Sequence, residues 1–301
     1  MAAGEVAQVR RQRRALKVRQ RASDRVALAR RDGGLQRALV LAQTTFVASG
    51  ISVRGSVTTP LPLLPCIVLQ SAIKFVNLAV PTAASRVGMN IRFLQRMGAP
   101  LPNAVAAGAV DDAAETIVQA ALLLVTFAIL HGHLQTGRFH GSGPNVRLVG
   151  AIAAALVVAV LLVLAIPPLR EKVVPPVREA LDGLREVGRD RQKRLELFGG
   201  RLAAELLYAV SLGATCLAYG VHLDLAEMIF VNTAAALLSG IIPVPGGIGA
   251  AEASLSAGLI ALGVDESTAF AIALTQRLCT FYLPPIWGSL SLRWLTRKGY
   301  V

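Results

Sequence analysis

The sequence predicts an all-α polytopic membrane protein in which two proline- and glycine-broken re-entrant hairpins form an inverted repeat. Three observations support this fold class. Of the 301 residues, 54% are hydrophobic and only 16% are charged, and the apolar residues are gathered into long runs. One of these runs is interrupted by a dense group of prolines and glycines. The order of elements around that group is repeated earlier in the chain.

The segment from Ser239 to Glu252, SGIIPVPGGIGAAE, is the strongest signal for a re-entrant hairpin. Proline removes a backbone donor and glycine permits positive φ, so the helix must end within this stretch. The apolar arms 226–242 and 250–262 contain 17 and 13 residues, whereas a simple span needs about 20. Irregular backbone at membrane depth is tolerated where it lines a wet cavity, which makes this stretch a candidate site. A kinked helix packed for shape alone is the alternative. The candidate site residues here are Pro245, Gly246, Gly247, Gly249 and Glu252.

The net charge of +13 lies mostly outside the apolar runs, as expected for cytoplasmic loops and for contact with anionic lipid headgroups. Nucleic-acid binding is excluded because no soluble domain remains to carry it. Residues 1–34 form a basic N-terminal arm with ten Arg and Lys against three acids, and they lack the apolar region of a secretory signal. We expect this arm either to lie on an anionic leaflet or to be a solvated tail.

Residues 35–301 are predicted to form one membrane domain, with halves 35–169 and 199–301 joined by an amphipathic linker, 170–198, on the cytoplasmic surface. The first half contains predicted helical segments at 35–53, 61–80, 82–99, 103–130 and 147–169. Of these, 61–80 is expected to be broken and 147–169 is the cleanest span. The second half contains a span at 200–220, the broken hairpin and one final helix at 268–292.

Charged and polar side chains inside the apolar segments are the other site candidates. Asp111, Asp112 and Glu115 lie near the start of the helix 103–130 at spacings of three and four residues, so they share one face. Each would cost roughly 2.5–3.5 kcal/mol at mid-bilayer, so this face should meet a cavity or a cationic partner, unless it lies in water at the interface. The remaining candidates are Lys74, Asn77, Arg86, Arg92 and Arg277.

No metal site and no cofactor are predicted. Three of the four histidines lie in the polar loop 131–146, but a fourth ligand is missing nearby. The three cysteines lie singly inside apolar segments, where they are most simply small buried hydrophobes. They are Cys66, Cys216 and Cys279.

A shift of 165 residues aligns the two halves of the chain. It places Gly98 on Gly263 and Asp112 on Arg277, and it superposes the two proline-containing stretches to within one residue. This order of elements is typical of transporters built from inverted repeats. We therefore expect Asp112 and Arg277 to face one cavity and to interact, directly or through a bound headgroup. Whether the first hairpin is re-entrant or 61–80 spans the membrane stays open.

Several motifs resemble one membrane family, the flippase-like family named for the lysylphosphatidylglycerol synthase transmembrane region. They are PVPGGIGAAE, FYLPPIWG after Arg277, NLAVP, RVGMNIR and AVDDAAE. The family includes the lipid-flipping half of the bacterial multiple peptide resistance factor. The resemblance covers roughly residues 40–301. The chain departs from the family pattern Arg-x-Gly-Glu-x-x-Arg, because Met89 replaces the acid.

The resemblance implies a multi-pass protein of the prokaryotic plasma membrane that moves a phospholipid or glycolipid between leaflets through a polar cavity. The lipid would have an anionic or aminoacylated headgroup. Its phosphate would meet N–H groups near Gly247–Ala250 and the cations Lys74, Arg86 and Arg277. Besides membrane lipids, the expected partners are a second copy of the chain or a separately encoded transferase.

Two other functions stay open at this stage. One is a non-transporting membrane partner of a lipid or glycosyl transferase. The other is an intramembrane lipid-modifying enzyme that uses the acid cluster as a base. The sequence has no catalytic motif of a soluble enzyme, so we do not expect enzymatic activity.

Overall fold

The computed structural model describes residues 32–57, 59–80, 82–135, 183–185, 188–241 and 244–301. In these ranges the chain is helical without a strand, which confirms the predicted all-α class. The arm up to residue 31, the side chains of the histidine loop, the predicted span 147–169 and most of the linker lie outside the described residues. The α-helices are α1 32–55, α2 Leu63–Val76, α3 Thr82–Arg96, α4 Leu101–Gln135, α5 Arg191–Ala218, α6 Leu225–Ile241, α7 Ala250–Ala261, α8 Glu266–Arg277 and α9 Pro284–Arg297.

Two helices in the described part of the chain are long and apolar enough to cross a membrane, Leu101–Leu130 within α4 and Arg191–Ala218, which is α5. α5 begins before the predicted start at residue 200 because Asp190 caps it. The carboxylate of Asp190 accepts hydrogen bonds from the N–H groups of Gln192 at 2.8 Å and Lys193 at 3.4 Å. The helix therefore runs through the boundary predicted at residue 199.

α1 covers the predicted helix 35–53 and packs closely on α5 through glycines. A Cβ atom added to Gly200 would lie 2.7 Å from the carbonyl oxygen of Ala48, and one added to Gly55 would overlap the backbone of Leu197. Small residues of this kind let helix backbones approach one another. This contact holds α1 against the part of α5 that carries charged side chains.

The first broken segment begins with α2, which ends at Val76 with Asn77 as its C-cap. α2 packs along α9 near the end of the chain. A Cβ atom added to Gly288 would lie 2.5 Å from the carbonyl oxygen of Ser71, and Ser291 donates its hydroxyl to that of Ser71 at 3.2 Å. The first broken segment is thus fixed to the last helix.

The second broken segment is interrupted where the sequence predicts it. α6 and α7 match the predicted arms 226–242 and 250–262 to within one residue. Between them, Gly246, Gly247 and Gly249 have φ angles of 62°, 65° and 84°. These positive values are accessible to glycine without the penalty that a Cβ atom brings.

The predicted single helix at 268–292 is wrong. The structure contains α8, a π-helical segment at Leu278–Tyr282 and then α9. Pro284 and Pro285 have no N–H group and cannot donate to the carbonyls of the preceding turn. Leu283 donates to a carbonyl five residues earlier, at 3.0 Å, instead of four.

The π-helical segment also frees an acceptor for another helix. Because Leu283 bonds to Leu278, the carbonyl of Cys279 loses its usual helical donor. The side chain of Gln43 on α1 replaces that donor, since its Nε2 donates to the carbonyl oxygen of Cys279 at 3.1 Å. The interruption therefore anchors α1 to the junction of α8 and α9.

Helix ends recur at the spacing of 165 residues found in the sequence. α2 ends at Val76 and α6 at Ile241. The turns after α3 and α7 contain Gly98 and Gly263, with φ angles of 91° and 88°. In both turns the residue after the glycine donates its N–H to the carbonyl five residues before it.

Candidate functional site

A polar cavity of about 550 Å³ lies among α2 to α8 and the π-helical segment. Its charged lining residues are Lys74, Arg86, Glu115, Glu205 and Arg277. Its uncharged polar lining residues are Asn77, Thr116, Gln119, Tyr208, Asn232, Ser239, Gln276 and Thr280. Ionisable side chains among apolar membrane helices are expensive unless they are paired or face water, so their concentration here marks a functional site.

Asp111 on α4 lies behind the residues that line the cavity, and it forms an ion pair with Arg201 of α5. The Nε of Arg201 donates to Oδ1 of Asp111 at 3.1 Å, and Nη2 donates to Oδ2. Ser52 on α1 donates its hydroxyl to the same Oδ1 at 2.8 Å. The side chains of Arg201 and Asp111 are only 6% and 1% exposed. The carboxylate of Asp111 therefore depends on Arg201 for compensation of its charge.

Arg86 on α3 supplies the second cation to the acid face of α4. Its Nη2 lies 2.9 Å from Oδ1 of Asp112, and its Nη1 bonds to Oε2 of Glu115. The same Oε2 of Glu115 also forms an ion pair with Nη1 of Arg201 at 3.0 Å, so one carboxylate bridges the two arginines. This network joins α3, α4 and α5 on one side of the cavity.

Glu205 on α5 is bound differently from the acids of α4. Gln119 donates Nε2 to Oε1 of Glu205 at 2.7 Å, and Asn232 donates Nδ2 to Oε2 at 3.3 Å. Glu205 is 7% exposed and lines the cavity. In the described part of the chain, its hydrogen-bond partners are therefore two neutral amides.

Arg277 at the end of α8 holds the glycine-rich break against the cavity. Its Nε donates to Oε1 of Glu252 at 2.9 Å, and its Nη2 donates to the carbonyl oxygen of Gly246 at 2.7 Å. The guanidinium carbon lies 4.3 Å from the ring centroid of Phe281, a cation–π contact. Tyr282 donates its hydroxyl to the same oxygen of Glu252 at 2.8 Å. Arg277 thus links α7, the break and the π-helical segment.

Three of the four backbone N–H groups from Gly247 to Ala250, which the sequence predicts to meet a phosphate, are hydrogen-bonded within the chain. Gly249 donates to Oε2 of Glu252 at 2.7 Å. Gly247 and Ile248 donate to carbonyls three residues earlier, at 3.1 and 3.3 Å. Glu252 therefore caps its own helix and also pairs with Arg277.

Seven of the predicted site residues line the cavity, namely Lys74, Asn77, Arg86, Glu115, Gly246, Gly247 and Arg277. Asp112 and Glu252 lie behind the lining, each bound to a lining arginine. Pro245 and Gly249 belong to the break itself. Arg92 is exposed on α3 and is not among the lining residues.

Asp112 and Arg277, which were predicted to interact directly or through a bound headgroup, do not form a direct ion pair, and their interaction through a headgroup stays a prediction. Arg86 is the partner of Asp112, and Glu252 is the partner of Arg277. Asp112 and Arg277 are therefore each paired within their own half of the chain, whereas Arg201 pairs with Asp111 and Glu115 across the two halves. Arg277 and Arg86 line the cavity, and Asp112 is not among the lining residues.

Four residues of the site were not assigned a role from the sequence: Arg201, Glu205, Gln119 and Asn232. Arg201 and Glu205 are charged residues four apart in an apolar span, the same signal that identified the acids of α4. Gln119 and Asn232 are single amides in apolar helices and give no such signal. Among the described residues, no group of three His, Cys, Asp or Glu side chains is placed to hold a metal ion.

The comparison with protein families confirms the resemblance seen in the sequence. The family model described as the lysylphosphatidylglycerol synthase TM region matches residues 26–288. This range covers most of the chain and contains every lining residue of the cavity. No curated protein and no solved structure gave a significant match. The chain therefore belongs to the lysylphosphatidylglycerol synthase transmembrane-region family, and it is a membrane protein with a lipid-related function.

Proposed function

We propose that this protein is a lipid flippase that moves a phospholipid or glycolipid between leaflets. The observation that carries the proposal is the charged cavity of about 550 Å³ enclosed by the helices of a lipid-related membrane family. In this proposal the headgroup enters the cavity and the acyl chains stay in the bilayer. Such a route avoids exposing a polar headgroup to hydrocarbon.

The charges of the wall support a headgroup that contains phosphate. Lys74, Arg86 and Arg277 reach the cavity from three different helices. Arg86 and Arg277 are oriented by carboxylates behind them, so they are held in place before a ligand arrives. An anionic or aminoacylated phospholipid, or a phosphate-linked glycolipid, fits this arrangement.

We further propose that α2–α3 and α6–α7 are two re-entrant hairpins of an inverted repeat in a multi-pass protein of the prokaryotic plasma membrane. The coincident helix ends and the matching glycine turns at a spacing of 165 residues support the repeat. The short apolar lengths of α2, α6 and α7 support hairpins rather than full spans. A homodimer, or a separately encoded transferase that makes the lipid, is the protein partner that this function suggests.

Reconstitution into liposomes tests the function directly. Leaflet-resolved assays of fluorescent phospholipids should show translocation that depends on the protein and leaves each lipid chemically unchanged. Arg277→Gln should slow translocation strongly, whereas Arg293→Gln, a matched change at an exposed position of α9, should not. A new lipid product would instead indicate an intramembrane enzyme. The absence of both translocation and product would favour a non-transporting partner of a transferase.

A further inference from the structure

The two carboxylates that line the cavity are not equivalent. Glu115 is paired with Arg86 and Arg201, whereas Glu205 receives hydrogen bonds from the amides of Gln119 and Asn232. An amide donor orients a carboxylate without cancelling its charge. The ionised form of a carboxylate that is 7% exposed and has no cation within 4 Å in the described part of the chain is costly, so a positive group that enters the cavity would stabilise it.

Lys74 on α2 presents the opposite charge on the same part of the wall. Its Nζ lies 5.6 Å from the ring centroid of Tyr208. Tyr208 follows Glu205 by three residues on α5, so the two side chains lie on one face about one turn apart. Within the residues that the structure describes, no carboxylate lies within 4 Å of the Lys74 ammonium. Lys74 and Glu205 therefore both line the cavity, and neither forms a direct ion pair within the described residues.

We propose that Glu205 and Lys74 select a zwitterionic phospholipid headgroup in which a primary ammonium lies two carbons from the phosphate. Glu205 binds the ammonium, and Lys74 binds the phosphate. A primary ammonium offers three N–H donors to the carboxylate that Gln119 and Asn232 hold in place. A trimethylated ammonium offers none, and a glycerol headgroup has no positive charge. This inference rests on the proposed flippase function and narrows its substrate.

Three lipids that share one fluorescent acyl chain test this selection. Phosphatidylethanolamine, phosphatidylcholine and phosphatidylglycerol, each labelled on the acyl chain, are placed in phosphatidylcholine liposomes with the purified protein. Chemical bleaching of the outer leaflet then reports the rate at which each lipid crosses. The wild-type protein should translocate the ethanolamine lipid fastest.

Glu205→Gln keeps the size of the side chain and removes its charge. It should slow the ethanolamine lipid roughly 10- to 100-fold, the effect of losing one charged hydrogen bond, and slow the glycerol lipid much less or not at all, because that headgroup has no ammonium to bind. Glu266→Gln, a matched change at an exposed position in the first turn of α8, should alter neither rate. Lys74→Gln should slow all three lipids because all three contain phosphate, and Lys298→Gln serves as its exposed control.

The lipid preference of the wild-type protein tests the inference even where a variant does not fold. Equal rates for the ethanolamine and choline lipids in the wild type would overturn it, and so would an equal loss for all lipids in folded Glu205→Gln. In both cases lipid translocation itself would still be observed. If none of the three lipids crosses, the proposed flippase function fails and the inference fails with it.

Discussion

Replacing Gly246 by alanine should disturb the cavity more than the same change at Gly247 or Gly249. All three residues have positive φ, 62°, 65° and 84°, where a Cβ atom costs roughly 1–2 kcal/mol. At Gly246 the added Cβ would also overlap the ring of Phe281, which contacts Arg277. At Gly247 the nearest neighbours are 3.9 Å away, and at Gly249 nothing lies within 4 Å.

Overlap with the ring adds an overpacking cost of about 1–3 kcal/mol to the backbone strain. We therefore expect Gly246→Ala to lose roughly 2–5 kcal/mol of stability, against roughly 1–2 kcal/mol for Gly247→Ala and Gly249→Ala. Equilibrium unfolding in detergent measures these free energies, and liposome assays measure the matching loss of lipid translocation. A double-mutant cycle with Phe281→Ala separates the overlap from the loss of the buried ring: in the Phe281→Ala background, Gly246→Ala should cost only the strain of the backbone, roughly 1–2 kcal/mol.

Two results would refute this reasoning. One is equal destabilisation by Gly246→Ala and Gly247→Ala, which have φ angles of 62° and 65° and differ in their contacts. The other is a cost of Gly246→Ala that stays the same in the Phe281→Ala background as in the wild-type background. Either result would mean that the ring is not packed on the break.

The remaining predictions concern the ion pairs and the basic arm. Arg201→Gln alone should cost about 3–5 kcal/mol, because it leaves the buried carboxylate of Asp111 without a cation, whereas Asp111→Asn should cost less, because Arg201 keeps its pair with Glu115. Adding Asp111→Asn to Arg201→Gln should recover much of the loss. A double-mutant cycle without coupling would contradict that pair. Asp112→Asn and Arg277→Gln should be additive to within about 0.5 kcal/mol in unfolding measurements, because their partners differ; strong coupling would place them in one network. Removal of residues 2–31 should weaken binding to anionic vesicles without abolishing lipid translocation. Complete loss of translocation in a correctly inserted truncation would assign the arm to the site.

The positions of helix breaks were readable from the sequence because their causes are local. Glycine without a Cβ atom and proline without an N–H group act on their own turn, so the stretch around Gly246 ends a helix whatever surrounds it. The same reasoning located the end of α2 before Pro81. The same reasoning was not applied at 268–292, where the apolar run was predicted as one helix although Pro284 and Pro285 interrupt it.

The sequence by itself determined that the protein is an all-α membrane protein and that the acids of α4 share a face, because composition and periodicity are properties of single segments. Tertiary structure alone decided which charges meet. Arg201 lies 90 residues from Asp111 in the chain, and no periodic pattern links them. The alignment of the two halves pointed to Asp112 with Arg277, but an internal repeat relates environments, whereas contact depends on how helices cross and how closely their glycines let them approach. The packing of the helices instead pairs Asp112 with Arg86 and Arg277 with Glu252.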